Sequence, residues 1–189
     1  MRILPQAAGL LLTVVTALLL SGCIPPGSTV TPEPLPSSTP VFASEEEALS
    51  AAEAAYREYL AVSDAILGDG GANPERIEDV VTGNVARTEK EGFLEFLTLG
   101  YQSIGQTTFG NASLQQFDPN SPDGIDLVII YVCSDVSGVD VVDSSGTSVV
   151  SPGRPSTTAF QIGFDFREAA IDGLVISSKE VWSGPGVCK

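Results

Sequence analysis

Histidine is absent from all 189 residues of this chain. That removes the side chain whose ordinary pKa lies nearest neutrality, and with it the commonest metal ligand. A Ser-His-Asp or Cys-His catalytic centre, or a zinc site that includes histidine, is excluded within the chain. Positive charge is scarce, with 9 Lys and Arg against 24 Asp and Glu, a formal net charge of −15. Nucleic-acid binding depends on basic side chains that neutralise phosphates, so nucleic acid is not an expected partner. The same shortage argues against a polybasic patch on an anionic lipid surface. Cysteine occurs three times, at Cys23, Cys133 and Cys188, without the CxxC spacing of a redox pair. The apolar run from about Ala7 to Leu20 is shorter than the roughly 20 residues of a membrane-spanning helix.

What is present begins with Met1-Arg2, then that apolar run, then Leu20-Ser21-Gly22-Cys23. A positive start, an apolar stretch and small residues before a cut site form a secretory signal. The last four residues resemble the lipobox of bacterial lipoproteins: an aliphatic residue, two small residues and cysteine. The resemblance implies that residues 1–22 are a signal peptide, removed after diacylglycerol is attached to Cys23. Cys23 is then an anchor and not a nucleophile, and two acyl chains, palmitate among them, hold a protein stably on a bilayer. The expected location is the extracytoplasmic face of the cell membrane. Losing residues 1–22 removes Arg2 and leaves 8 basic against 24 acidic residues, 8 − 24 or −16.

Residues 23–43 follow as a stalk, with proline at positions 25, 26, 32, 34, 36 and 40 among serines and threonines. Proline fixes φ and removes a hydrogen-bond donor, so this segment is expected to be extended, a spacer of several tens of Å. Residues 44–189 are expected to form a single domain. Ser44-Glu45-Glu46-Glu47 has the form of a capping box, with acidic residues at the positive end of a helix. Beyond it Leu49, Ala52, Tyr56, Tyr59, Leu60, Ser63 and Leu67 fall near one helical face, and Gly68-Asp69-Gly70-Gly71 stops the helix. Asn73-Pro74 reads as a cap and first helical position of a short helix through Val81. A third helix is expected from about Asn84 to Ile104, with Phe93, Phe96, Leu97, Tyr101 and Ile104 on one stripe.

From Gln106 the pattern turns to strands: Thr107–Phe117, Ile125–Cys133, a hairpin around Asp143-Ser144-Ser145-Gly146, Thr157–Arg167 and Leu174–Trp182. Phe160, Ile162, Phe164 and Phe166 alternate cleanly. The fold class is therefore α+β, with three N-terminal helices on one face of a curved antiparallel sheet of five or six strands. This order over roughly residues 44–188 resembles the cone-shaped folds of the nuclear-transport-factor and SnoaL-like superfamily, also seen among lipoproteins of high-GC Gram-positive bacteria. The resemblance implies a pocket between helices and sheet. Catalytic members use a pocket aspartate as base and a tyrosine as oxyanion donor, but no position here matches those roles, so no catalytic residue is assigned.

With Cys23 lipidated, Cys133 and Cys188 remain, and an even pair in an exported chain reads as a disulfide, two buried thiols being the alternative. Closing a loop of about 55 residues contributes about 3–4 kcal/mol in the chain-entropy model. Tyr56, Tyr59 and Tyr101 could line a pocket under the helices, rings with polar tips being suited to ligands. Asp135, Ser137, Asp140 and Asp143 could offer oxygens to calcium, although the spacing is not an EF-hand loop and aspartate favours turns in its own right. No cofactor motif is present. The expected function is non-catalytic binding of a small apolar ligand or an envelope protein at the end of a membrane anchor. The alternatives are a cone-fold enzyme with an Asp/Tyr pocket and a purely structural envelope lipoprotein.

Overall fold

The computed structural model describes residues 41–170 and 173–188. The expected signal segment, Cys23 and the proline-rich stretch through Pro40 lie outside the described residues. Among those that are described, no helix is long and apolar enough to cross a membrane.

Helix α1 runs Glu45–Gly68 and starts where its cap chemistry dictates. The Ser44 hydroxyl accepts the Glu47 N–H at 3.2 Å, and the Glu47 carboxylate accepts the Ala43 N–H at 2.8 Å, so two donors at the helix entry are satisfied reciprocally. Its buried face is Ala48, Ala52, Ala55, Tyr56, Tyr59, Leu60, Ser63 and Ile66. Phe42, assigned from the sequence to the stalk, is only 8% exposed and its ring lies 6.3 Å from that of Phe117. The helix ends through Gly70 and Gly71, and the Gly71 N–H bonds to Ile66 O at 2.8 Å. Gly71 has φ 83°, and a Cβ there would sit 2.2 Å from Phe93 O, so glycine is required for the end of α1 to approach the next helix.

The Asn73-Pro74 signal yields a 3-10 turn, Pro74–Asp79, and not an α-helix. Asn73 is left-handed (φ 52°) and its side chain caps nothing. This short segment buries Ile77 and lays Val81 in parallel beside Ile176. Helix α2 follows at Gly83–Leu99, ending five residues before the Ile104 that the sequence pattern suggests. Gly100, left-handed at φ 68°, closes it: Tyr101 N–H bonds to Phe96 O at 3.2 Å and Gly100 N–H to Leu97 O at 3.1 Å. This pair of bonds satisfies the last carbonyls and turns the chain away. Of the expected stripe only Phe93 is buried, while Leu97 is 48% and Ile104 55% exposed.

Among the described residues six strands follow: β1 Gln102–Ile104, β2 Thr108–Phe117, β3 Val128–Asp135, β4 Asp140–Val142, β5 Thr157–Phe166 and β6 Leu174–Val181. They form two antiparallel sheets, a four-stranded one in the order β2-β3-β5-β6 and a two-stranded one of β1 and β4. The molecule is thus α+β with its helices N-terminal to its strands. Helices α1 and α2 pack over the four-stranded sheet, on Val128, Ile130, Val132, Ile162, Phe164 and Ile176, all fully buried. Strand β3 starts three residues later than its apolar run, because Pro122–Gly124 forms a 3-10 turn and leaves Ile125 56% exposed.

On the opposite face, the alternate residues of β3 meet the chain's C-terminal segment. Cys133 and Cys188 are joined by a disulfide, with Cα atoms 5.1 Å apart. Trp182 packs its ring 4.7 Å from that of Tyr131, and its backbone N–H donates to Ala159 O at 2.9 Å. The Asn111 side chain donates to Val187 O at 3.2 Å. The C-terminal segment therefore crosses from the β6 edge, over β5 and β3, to β2.

Candidate functional site

Between the helices and the inner face of the sheet lies a cavity of about 450 Å³. Tyr56 and Tyr59 reach it from α1, Glu89 and Phe93 from α2, and Phe160 and Lys179 from β5 and β6. Glu89 and Phe93 are four residues apart and so share a helix face. Tyr56 stands at the inner end, its ring 5.7 Å from Tyr59 and edge-on to Phe109 at 4.9 Å.

Three polar side chains close on one another in this cavity. Lys179 Nζ donates to Glu89 Oε1 at 2.8 Å and to the Tyr59 hydroxyl oxygen at 2.5 Å. The Tyr59 hydroxyl in turn donates to Glu89 Oε1 at 2.9 Å. The ammonium also lies 5.0 Å from the centre of the Tyr59 ring and 5.4 Å from that of Phe160. Exposure of the ion pair is low, 23% for the Lys179 side chain and 18% for Glu89. Burial, reinforced by the Glu89 charge, holds the Tyr59 hydroxyl well above the ordinary tyrosine range. Burial also raises Tyr56, opposed by the Ser134 hydroxyl and the Lys179 charge. Both tyrosines are thus kept as neutral phenols.

Lys179 reaches the cavity because β6 carries an extra residue. Phe164 pairs with Ile176 but Gly163 pairs with Ser178, so Ser177 is the inserted residue of a β-bulge. Simple alternation from the buried Ile176 would send Lys179 to the other face. After the bulge it lies opposite Ile162, on the helix side. Beside the bulge, the Ser178 hydroxyl fills the space over Gly163, 2.4 Å from where a Cβ would sit. Among the described residues the buried Ser177 hydroxyl has no hydrogen-bond partner.

A second carboxylate, Asp64 of α1, stands at the rim. Its Oδ2 accepts the Thr107 N–H at 2.7 Å and its Oδ1 the Thr107 hydroxyl at 2.8 Å, tying α1 to the entry of β2. Beyond this tie lies another cavity of about 500 Å³, lined by Glu53, Arg57 and Phe109 among others.

Of the three tyrosines singled out by sequence, Tyr56 and Tyr59 meet and Tyr101 does not. Tyr101 lies past the end of α2, edge-on to Phe96 at 5.7 Å, and lines a separate groove of about 400 Å³ with Leu99 and Val149. Glu89 and Lys179 were not anticipated. Glu89 was findable from its spacing to Ala86 and Phe93, whereas Lys179 depends on the bulge. The calcium candidates are engaged in turns. Asp143 Oδ1 accepts the Ser145 N–H and hydroxyl and the Thr147 N–H at 2.6–3.0 Å. Asp140 accepts from Val141 and Ser148, and Asp135 from Ser137. Those bonds hold Asp135 and Asp143 below the usual carboxylate range, chiefly through the Ser137 N–H and the Ser145 hydroxyl respectively. Among the described residues no three His, Cys, Asp or Glu side chains gather as a metal site would need.

The fold and the cavity define an α+β protein with helices laid over an antiparallel sheet. The intermembrane-space region of the chloroplast protein ARC6 is similar in fold, with a TM-score of 0.51 at 15% identity over 72% of this chain and 97% of that one. Aln2 from a Streptomyces species aligns with a TM-score of 0.44 at 16% identity over 74% of this chain and 92% of that one. No protein-family model matches the chain, and no curated protein matches it in sequence.

Proposed function

We propose that this chain is an extracytoplasmic lipoprotein, held on the membrane by diacylglycerol on Cys23 and presenting residues 44–189 as a non-catalytic binding domain on a stalk. The anchor rests on Leu20-Ser21-Gly22-Cys23 after a positive start and an apolar run. The binding role rests on one observation: the cavity's ionisable groups are tied to one another. Glu89 Oε1 holds both Lys179 and Tyr59, and both Asp64 oxygens hold Thr107. A general base must be within reach of a substrate proton, and an oxyanion donor must have its hydrogen free. Here Asp64 has both oxygens on Thr107, Glu89 is ion-paired to Lys179 and the Tyr59 hydrogen is committed to Glu89, while apolar walls remain for a ligand body.

A second reading has an observation in its favour. Helices over a sheet with a cavity between them support kinship with the cone folds, and Glu89 facing Tyr59 is a carboxylate–tyrosine pair. Turnover of an enolisable ketone, abolished by Glu89→Gln, would favour that enzyme over the binding module.

Anchoring is tested by growing an expressing bacterium with an alkyne-bearing fatty acid. The wild-type chain is expected to take up the label and sediment with membranes, and Cys23→Ser to do neither. An unlabelled wild-type chain would overturn the anchor. For binding, native mass spectrometry of the chain purified from its envelope should show extra mass that is lost on denaturation. Thr158→Trp, which narrows the cavity, should not carry it.

A further inference from the structure

The charge balance inside the cavity limits what it can accept; this inference rests on reading the cavity as a binding site. An ammonium has three donors, and Lys179 directs two of them to Tyr59 and Glu89. Both protein bonds to Glu89 fall on Oε1, so among the described residues Oε2 carries none. The cluster therefore offers one N–H and one carboxylate oxygen side by side, on a pair whose charges cancel. The remaining walls combine Tyr56, Leu60, Leu67, Phe93, Val136 and Phe160 with the uncharged hydroxyls of Ser63, Thr88, Ser134 and Thr158.

An entering anion would meet an ammonium already neutralised, with the Glu89 and Asp64 carboxylates nearby. An entering cation would find the Tyr59 and Phe160 ring faces already covered by Lys179, at 5.0 and 5.4 Å. Either charge would lose its water for no matching partner, and leaving water unpaired is costly for an ion. A neutral group with adjacent acceptor and donor can accept from Lys179 and donate to Glu89 Oε2 at once.

We propose that Glu89 sets the charge specificity of this cavity, restricting it to uncharged ligands that join an apolar ring or chain to an adjacent donor and acceptor, as in a primary amide. Glu89 is then a specificity residue that acts partly on the ligand and partly by neutralising Lys179.

The test uses three probes of one shape: 2-naphthamide, 2-naphthoate and 2-naphthylmethylammonium. Each is titrated calorimetrically against the full chain in lipid nanodiscs, with empty nanodiscs as reference. The wild-type chain should bind the amide at least about tenfold tighter than either ion, the scale of one charge-assisted hydrogen bond. Glu89→Gln releases Lys179 from its counter-charge and should move the naphthoate to first place. Lys179→Met leaves Glu89 alone and should move the ammonium probe to first place. Glu89→Asp keeps the charge and should keep the wild-type order, which a merely structural role for the side chain would not require. An unchanged order in both charge-removing variants, or a wild-type chain that prefers an ion, overturns the inference. If no probe binds any of the four proteins while all melt cooperatively, the reading of the cavity as a binding site falls instead, and the specificity falls with it.

Discussion

On one face of the four-stranded sheet, Val128, Ile130, Val132, Ile162 and Phe164 are buried beneath two helices. On the other, Tyr131 and Cys133 are covered by the chain's own last residues, through one disulfide, one ring contact and a few hydrogen bonds. The inner face is held by apolar area, which is non-directional and acts wherever surface leaves water. The outer face is held by a few discrete ties, which fix position without much area. The contrast suggests a division of labour. Ties on the outside hold the strand register, so the inner face can leave a gap of about 450 Å³ between its layers and still fold.

The largest expected effect tests the inner face. Phe164→Ala should lower unfolding free energy by about 3–5 kcal/mol in urea titration and weaken binding of 2-naphthamide as well. Next comes the outer face. Replacing Cys133 and Cys188 together by serine should cost about 3–4 kcal/mol and expose the C-terminal segment to carboxypeptidase, with amide binding unchanged. If binding falls as it does in Phe164→Ala, the two faces do not act separately.

A smaller effect concerns alkaline pH. Tyr59 and Tyr56 both hold their protons above the ordinary value of 10.0. Above that pH the unfolded chain has released protons that the folded chain retains, so the unfolded state binds fewer and stability falls. Their contribution is complete below 10.0 and is lost as pH rises through the folded values. The urea midpoint should therefore decline from that pH upward, and Tyr59→Phe should flatten the decline. Smallest is Trp182→Leu, expected to cost about 1 kcal/mol from the lost ring pair with Tyr131 and to leave the cavity's affinity untouched.

Local signals were legible where chemistry and geometry coincide within a few residues. Ser44 and Glu47 announce the start of α1, and the face carrying Tyr56, Tyr59 and Ser63 follows from the 3.6-residue period. The alternation over Thr157–Phe166 correctly marks β5, and Ile162 and Phe164 are its buried core. Gly100 could have been read as a terminator, but the apolar Tyr101 and Ile104 continued the helical spacing and masked it. That one misreading placed Tyr101 in a cavity it does not reach. The other five strands were legible individually, whereas β1, Gln102–Ile104, fell inside the helix expected through Ile104. Their division into sheets of four and two was not, because pairing joins residues far apart in sequence. Lys179 was hidden for a related reason: its direction depends on how β6 pairs with β5 at Gly163, which the residues around Lys179 do not encode.

The extra residue in β6 has a consequence for how this protein can change over generations. Removing Ser177 alone would leave Lys179 two residues from Ile176, so strict alternation would keep it on the helix side, opposite Ile162. The direction of Lys179 is therefore held by how the strand pairs as much as by the identity of its residues. A single in-frame codon deletion at Ser177, with every lining amino acid still encoded, would straighten the strand and still leave the cavity neutral.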